Sequence, residues 1–180
     1  MKTLAASSVL ALVLLVLPAA SQAPDDKLIV PGRRIGIWTL EMTLDELARI
    51  VQPSSFKYAS IPGWTVISWD NGLAAGTRRR NSRVEYLSIS EESLLFGSTF
   101  KTDQGIGIGS SKDRVAKAYG SPTASIVTGY SPWRLPRNFL VIYDSVGLAV
   151  EHRYNGKVFN LTVLRPGSAR DMYPSLGYSW

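Results

Sequence analysis

The chain has 180 residues, 45% of them hydrophobic and 19% charged, with 20 Lys+Arg against 14 Asp+Glu and a formal net charge of +6. That balance excludes a disordered or collagen-like chain. The absence of Cys excludes a disulfide scaffold, thiolate zinc sites, Cys nucleophiles and a lipid-modified N-terminal Cys, and a single histidine, His152, excludes a multi-histidine metal centre.

Residues 1–23 read as a secretory signal peptide. Lys2 supplies the positive start, Leu4 to Leu17 is an uncharged and largely apolar run, Pro18 breaks it, and Ala19 to Ala23 is a small-residue segment before a cleavage site. The run is short of the roughly 20 apolar residues of a membrane span. Pro24 hinders cleavage after Ala23, so cleavage after Ser21 or an uncleaved anchor are the alternatives. Removing Lys2 leaves a net charge of +5, in a mature chain of about 157 residues, the length of one domain. The expected location is periplasmic or secreted, with no transmembrane segment after cleavage.

Thr43 is a suitable N-cap with Glu46 three residues on, a capping box that starts a helix with Leu44, Leu47, Ala48 and Val51 on one face. Pro53 stops it. An irregular stretch follows, then strand-like runs at Trp64–Trp69, Leu73–Arg79 and Arg83–Ser90, punctuated by turns at Asp70-Asn71-Gly72 and Arg80-Asn81-Ser82. A second helix begins at Ser110 or Ser111, places Val115, Ala118 and Tyr119 on one face, and stops at Gly120-Ser-Pro122. Strand-like runs return at Phe139–Tyr143, Leu148–Tyr154 and Lys157–Leu164, the last two joined by Asn155-Gly156 and therefore antiparallel. Alternation groups Phe159, Leu161 and Val163 on one face, and Leu148, Val150, His152 and Tyr154 on another.

The two halves align. Thr43 to Val51 lies over Ser111 to Tyr119, sharing Asp45/Asp113 and Ala48/Ala116. Asn81 to Ile89 lies over Asn155 to Val163, with identities at Asn, Val and Leu. Between them Trp69-Asp70 matches Tyr143-Asp144 and Gly72-Leu-Ala74 matches Gly147-Leu-Ala149. The expected fold class is α+β: two tandem repeats, about 28–95 and 99–166, each a helix followed by a three-stranded antiparallel meander. The helices would lie on one face of the sheet, and residues 167–180 would form an aromatic C-terminal tail.

The stretch Gly107 to Val115 followed by Tyr119-Gly-Ser-Pro122 resembles a pattern, G-x-(S/T)-x-x-x-V-x-x-x-x-G-x-P, of small outer-membrane assembly lipoproteins of the SmpA/OmlA (BamE-like) type. It is also similar to the tandem repeat of secreted β-lactamase-inhibitor-like proteins. The resemblance covers about 60 residues of the second repeat and implies a fold and a binding style. Repeat one has Val51-Gln-Pro53 at the stop, and the chain has neither a lipobox Cys nor disulfides, so no functional residue of either family transfers.

Several residues invite chemical readings. Gly105-Ile-Gly-Ile-Gly109 before a helix resembles an anion-binding loop but lacks the spacing of a P-loop or dinucleotide fingerprint, and reads as a helix entry. His152 and Asp144 are the candidates for an envelope hydrolase, although no G-x-S-x-G is present. Alternation packs His152 with apolar neighbours, and Asp70 and Asp144 occupy turns. Arg78, Arg79 and Arg80, with Arg83, form the densest charge run. Tyr130, Trp133, Arg134 and Arg137 sit in a Pro-restricted insertion and are of the residue types enriched at binding hot spots. The expectation is an exported, non-enzymatic protein-binding or inhibitor-like module that needs no cofactor or metal. It would meet a protein partner or an anionic envelope component, and not nucleic acid. An envelope hydrolase and an outer-membrane assembly factor are the alternatives.

Overall fold

The computed structural model describes residues 27–50, 56–61, 63–79, 82–97, 99–128 and 138–173. The signal-peptide segment, Arg80 and the insertion bearing Tyr130, Trp133, Arg134 and Arg137 lie outside them, as does the tail beyond Tyr173. The chain is mostly β, with 43% of the described residues in strands against 22% in helices. This overturns the expected α+β repeat of a helix and a three-stranded meander.

A small sheet is built from β1 (Leu28–Val30), β2 (Arg34–Ile35), β3 (Trp38–Thr39) and β8 (Lys101–Thr102), in the order β3-β2-β1-β8 with β1 and β8 parallel. The large sheet has eight strands. They are β4 (Phe56–Ile61), β5 (Trp64–Trp69), β6 (Leu73–Thr77), β7 (Tyr86–Ser90), β9 (Ala124–Thr128), β10 (Asn138–Tyr143), β11 (Leu148–His152) and β12 (Val158–Leu164). Their order is β4-β5-β6-β7-β12-β11-β10-β9, antiparallel throughout. Each half of the chain thus brings four strands, not three. The unforeseen strands, β4 and β9, occupy the stretches read as irregular. Both are edge strands, with a paired neighbour on one side only, and β9 alternates small and half-buried residues, which leaves a weak pattern. At the centre β7 meets β12 with Leu87 opposite Val163 and Ile89 opposite Leu161.

Three α-helices are present among the described residues: α1 (Leu44–Ile50), α2 (Lys112–Tyr119) and α3 (Ala169–Met172). The Thr43–Glu46 capping box forms: the Thr43 N–H donates to Glu46 Oε2 at 2.8 Å and the Glu46 N–H to Thr43 Oγ1 at 3.2 Å. Ser111 caps α2 by accepting from the Arg114 N–H at 3.3 Å. No helix among the described residues is long and apolar enough to cross a membrane.

The strand period of two separates the faces of the large sheet. On the inner face Ile67, Leu73, Leu87, Leu161, Val163 and Val150 pack under α1, α2 and the small sheet, with Leu44, Leu47, Val115, Ile29 and Ile35. The outer face carries a second cluster, Leu140, Ile142, Ala149 and Leu164, covered by Ala169 and Met172 of α3. Helices therefore lie on both faces, contrary to the expectation of one. The segment assigned to the tail supplies α3, because Asp144 Oδ1 accepts the Ala169 N–H at 3.0 Å and fixes the helix start.

Two expected faces are also corrected. A register shift after Glu151 sets His152 opposite Val158, so Val158 is buried with Leu161 and Val163 while Phe159 stays half-buried. The strand before it ends at His152, and Tyr154 stands exposed in the turn.

Candidate functional site

The arginine run leaves β6 through a pinned turn. Buried Thr77 accepts the Arg79 N–H at 3.2 Å, lies 2.9 Å from Ser82 Oγ, and donates to the Arg79 carbonyl at 3.1 Å. The Ser82 N–H and hydroxyl donate to that same carbonyl. Fully buried Val84 then anchors the return strand. Arg78 and Arg79 are thereby held outward at the end of the sheet.

Arg78 is the centre of an aromatic stack on the outer face. Its guanidinium lies 5.4 Å from the Trp64 ring centroid, and Trp64 meets Tyr86 edge-on at 5.5 Å. Gly76, opposite Tyr86 in the ladder, makes room for that ring, since a Cβ there would fall 2.3 Å from it. Burial pushes the Tyr86 hydroxyl up to about 12. Arg78 Nε donates to Glu85 Oε2 at 2.7 Å, its N–H to Oε1 at 2.9 Å, and Nη1 to the Asp171 carbonyl of α3 at 3.4 Å. Partial burial raises the Glu85 carboxyl, but the hydrogen bonds from Arg78 outweigh it and hold the group below the usual range.

Arginines from distant parts of the chain converge beside this stack. Arg83 and Arg165 both pair with Glu41, Arg165 Nη1 at 2.6 Å, and Arg165 Nη2 donates to the Leu40 carbonyl at 2.7 Å. The Arg165 hydrogen bond holds the Glu41 carboxyl below its ordinary value. Two open clefts adjoin these ion pairs. One, of about 890 Å³, is lined by Thr43, Arg78, Arg79, Ser82, Arg83, Glu85 and Arg165. The other, of about 690 Å³, includes Arg33, Arg34, Leu40 and Glu41. The Arg83–Glu41–Arg165 bridge joins them.

The two expected binding clusters do not come together. Thr128 and Asn138, which flank the insertion carrying Trp133, lie at the opposite end of the strands from Thr77. Thr128 is also five strand spacings from β6 and Asn138 four, about 24 Å and about 19 Å across. Trp64, Tyr86, Glu41, Glu85 and Arg165 were not read as site residues. Gly76 inside a strand was the available signal, because an interior glycine marks a close approach.

The other candidates are structural. The Gly105–Gly109 loop spends its amides on the chain itself: Gly105 N–H to the Thr102 carbonyl, Ile106 to Thr102 Oγ1, Gly107 to Ser110 Oγ and Gly109 to the Val158 carbonyl. His152 is fully buried on the inner face and neither ring nitrogen makes a hydrogen bond among the described residues. Burial and nearby Lys112 hold its pKa below 6.5, against a smaller opposing pull from the Phe139 backbone. Asp144 lies at the other end of the strand pair, about 15 Å away, bound to the start of α3. No group of three or more His, Asp or Glu among the described residues could hold a metal ion.

Compared with known protein families, curated proteins and solved structures, the chain matches none.

Proposed function

We propose that the chain is an exported, non-enzymatic binding module. Its contact surface is the arginine-lined end of the large sheet and the adjoining outer face. The observation that carries this reading is the Arg78–Trp64–Tyr86 stack, with Arg79 and Arg83 lining a cleft together with Arg78. Trp, Tyr and Arg are the side chains that dominate protein contacts, because each buries a large area at small entropic cost and keeps a polar or charged handle. Here their geometry is fixed in advance by Glu85 and Gly76, which reduces the ordering cost on association. The leader-like segment 1–23 supports export. The hydrolase alternative has less support, since its base, His152, is fully buried and distant from Asp144.

The test is affinity capture from the native envelope with the mature protein, repeated with Arg79→Ala/Arg83→Ala and with Trp64→Ala. Specific loss of one captured protein in the variants supports the reading. Unchanged capture in all of them rejects this surface. An enzymatic activity abolished by His152→Ala at unchanged melting temperature rejects the non-enzymatic assignment.

A further inference from the structure

Six guanidiniums, those of Arg33, Arg34, Arg78, Arg79, Arg83 and Arg165, line the two joined clefts. Four carboxylates lie within or beside them: Glu41, Glu85, Glu46 and Asp171. Among the described residues the groove keeps an excess of two positive charges, and no Lys lines either cleft. We infer that this groove receives an acidic segment of a protein partner, its carboxylates engaging Arg79 and Arg83 and competing with Glu41 for its two guanidiniums. The inference rests on the binding-module reading and names the chemistry of the partner.

Three observations carry it. The guanidinium is a planar fork that matches a carboxylate, whereas Lys acts as a point charge, so a groove of arginines alone is built for planar oxyanions. The groove already holds carboxylates on its guanidiniums: one oxygen of Glu85 takes the Arg78 guanidinium and the other its backbone N–H, and Glu41 gives one oxygen to Arg83 and the other to Arg165. Glu41 therefore occupies the position a ligand carboxylate would take, and it is exposed, with 56% of its side chain open to solvent. Arg79 has no side-chain partner among the described residues and is free to meet the ligand. The surface is an open cleft of about 890 Å³ beside Arg78, and a cluster of arginines on such a cleft is a recurring way of recognising an acidic peptide motif.

The test is direct binding of a fluorescent oligo-glutamate peptide to the mature protein, read by anisotropy. Heparin, inorganic phosphate and phosphatidylglycerol vesicles are run in parallel. The expected result is saturable binding of the peptide that weakens as salt is raised. Arg79→Ala/Arg83→Ala should weaken it about tenfold or more, and Glu41→Gln should tighten it several-fold by freeing Arg83 and Arg165. Arg79→Glu, at an exposed position, provides a variant whose fold is not at risk and should abolish binding. Thermal melts confirm that each variant is folded. Peptide binding unchanged by the arginine variants, or weakened by Glu41→Gln, overturns the inference. So does binding of heparin or vesicles without binding of the peptide. If the peptide fails to bind while envelope capture still depends on Arg79 and Arg83, the binding-module reading stands and only the acidic-segment assignment falls.

Discussion

His152 offers the sharpest test of the packing, because it is the only histidine and it is fully buried. Neutral imidazole carries one donor and one acceptor, and, the weak pull of the Phe139 backbone aside, neither makes a hydrogen bond among the described residues. Each buried unsatisfied group costs about 1–3 kcal/mol. Leu fills similar space without polar atoms, at a shape penalty below about 1.5 kcal/mol. Relieving both groups and deducting that penalty, His152→Leu should be about 0.5–4.5 kcal/mol more stable near neutral pH. The substitution also changes the pH dependence. The folded-state pKa is depressed below 6.5, so between 6.5 and that lower value the unfolded chain binds a proton that the folded chain refuses. The stability contribution is present above 6.5 and is lost as the pH falls. Within that window the wild type should lose up to about 1.4 kcal/mol per pH unit relative to the Leu variant. Carboxylates titrate in both proteins and cancel in the difference. Urea unfolding of the two proteins across the range about pH 8 to about pH 5 measures it. Parallel stability profiles would refute the buried, unpaired histidine and with it the placement of β11 against Val158 and Phe139.

Four further substitutions test the same packing. Gly147 sits at φ 70, and an added Cβ would lie 2.2 Å from the Leu164 carbonyl oxygen and 2.7 Å from Gly32 Cα, so Gly147→Ala should cost more than about 3 kcal/mol or prevent folding. Gly109, at φ 83 with open space around it, should cost only about 1 kcal/mol as Ala, and thermal melts of the pair separate the steric from the conformational term. Leu161→Ala, at the fully buried junction of β12 with β7 and β11, should lower stability by about 2–5 kcal/mol in urea titrations. Arg153→Ala removes a half-exposed pair with Glu91 and a stack on Phe159, and should cost no more than about 1–2 kcal/mol in thermal melts, since solvent and salt screen the pair.

Features set by near neighbours in the chain were legible before the fold was known. The Thr43–Glu46 box and the Ser111 cap each close between residues three positions apart, and both helices begin where those caps stand. Asn155-Gly156 specifies its hairpin because a glycine at φ 75 suits the turn. Trp64–Trp69 is a strand with the bounds its alternation suggested. By contrast β4 and β9 were missed. β9 faces the sheet with Ala124 and Ile126 and leaves Ser125 and Val127 outward and exposed, so its sequence shows no clean contrast between faces. The small sheet was missed because its strands are two or three residues long, and only pairing between Leu28–Val30 and distant Lys101–Thr102 completes it.

The site divides in the same way. The density of Arg78, Arg79 and Arg83 is visible along the chain, as is the turn that carries it. That Arg165 arrives from 82 residues beyond Arg83 to share Glu41, and that Tyr86 lies on Gly76 against Trp64, are consequences of strand register. The sequence by itself determined the composition limits on chemistry, the helix starts, the turns and the basic hairpin, because these depend on residue type and on interactions a few residues apart. Only in the folded chain do β7 and β12 join, does α3 cover part of the outer face, and do six arginines line two adjoining clefts. Those arrangements depend on which apolar faces bury one another, and burial is a property of the assembled chain.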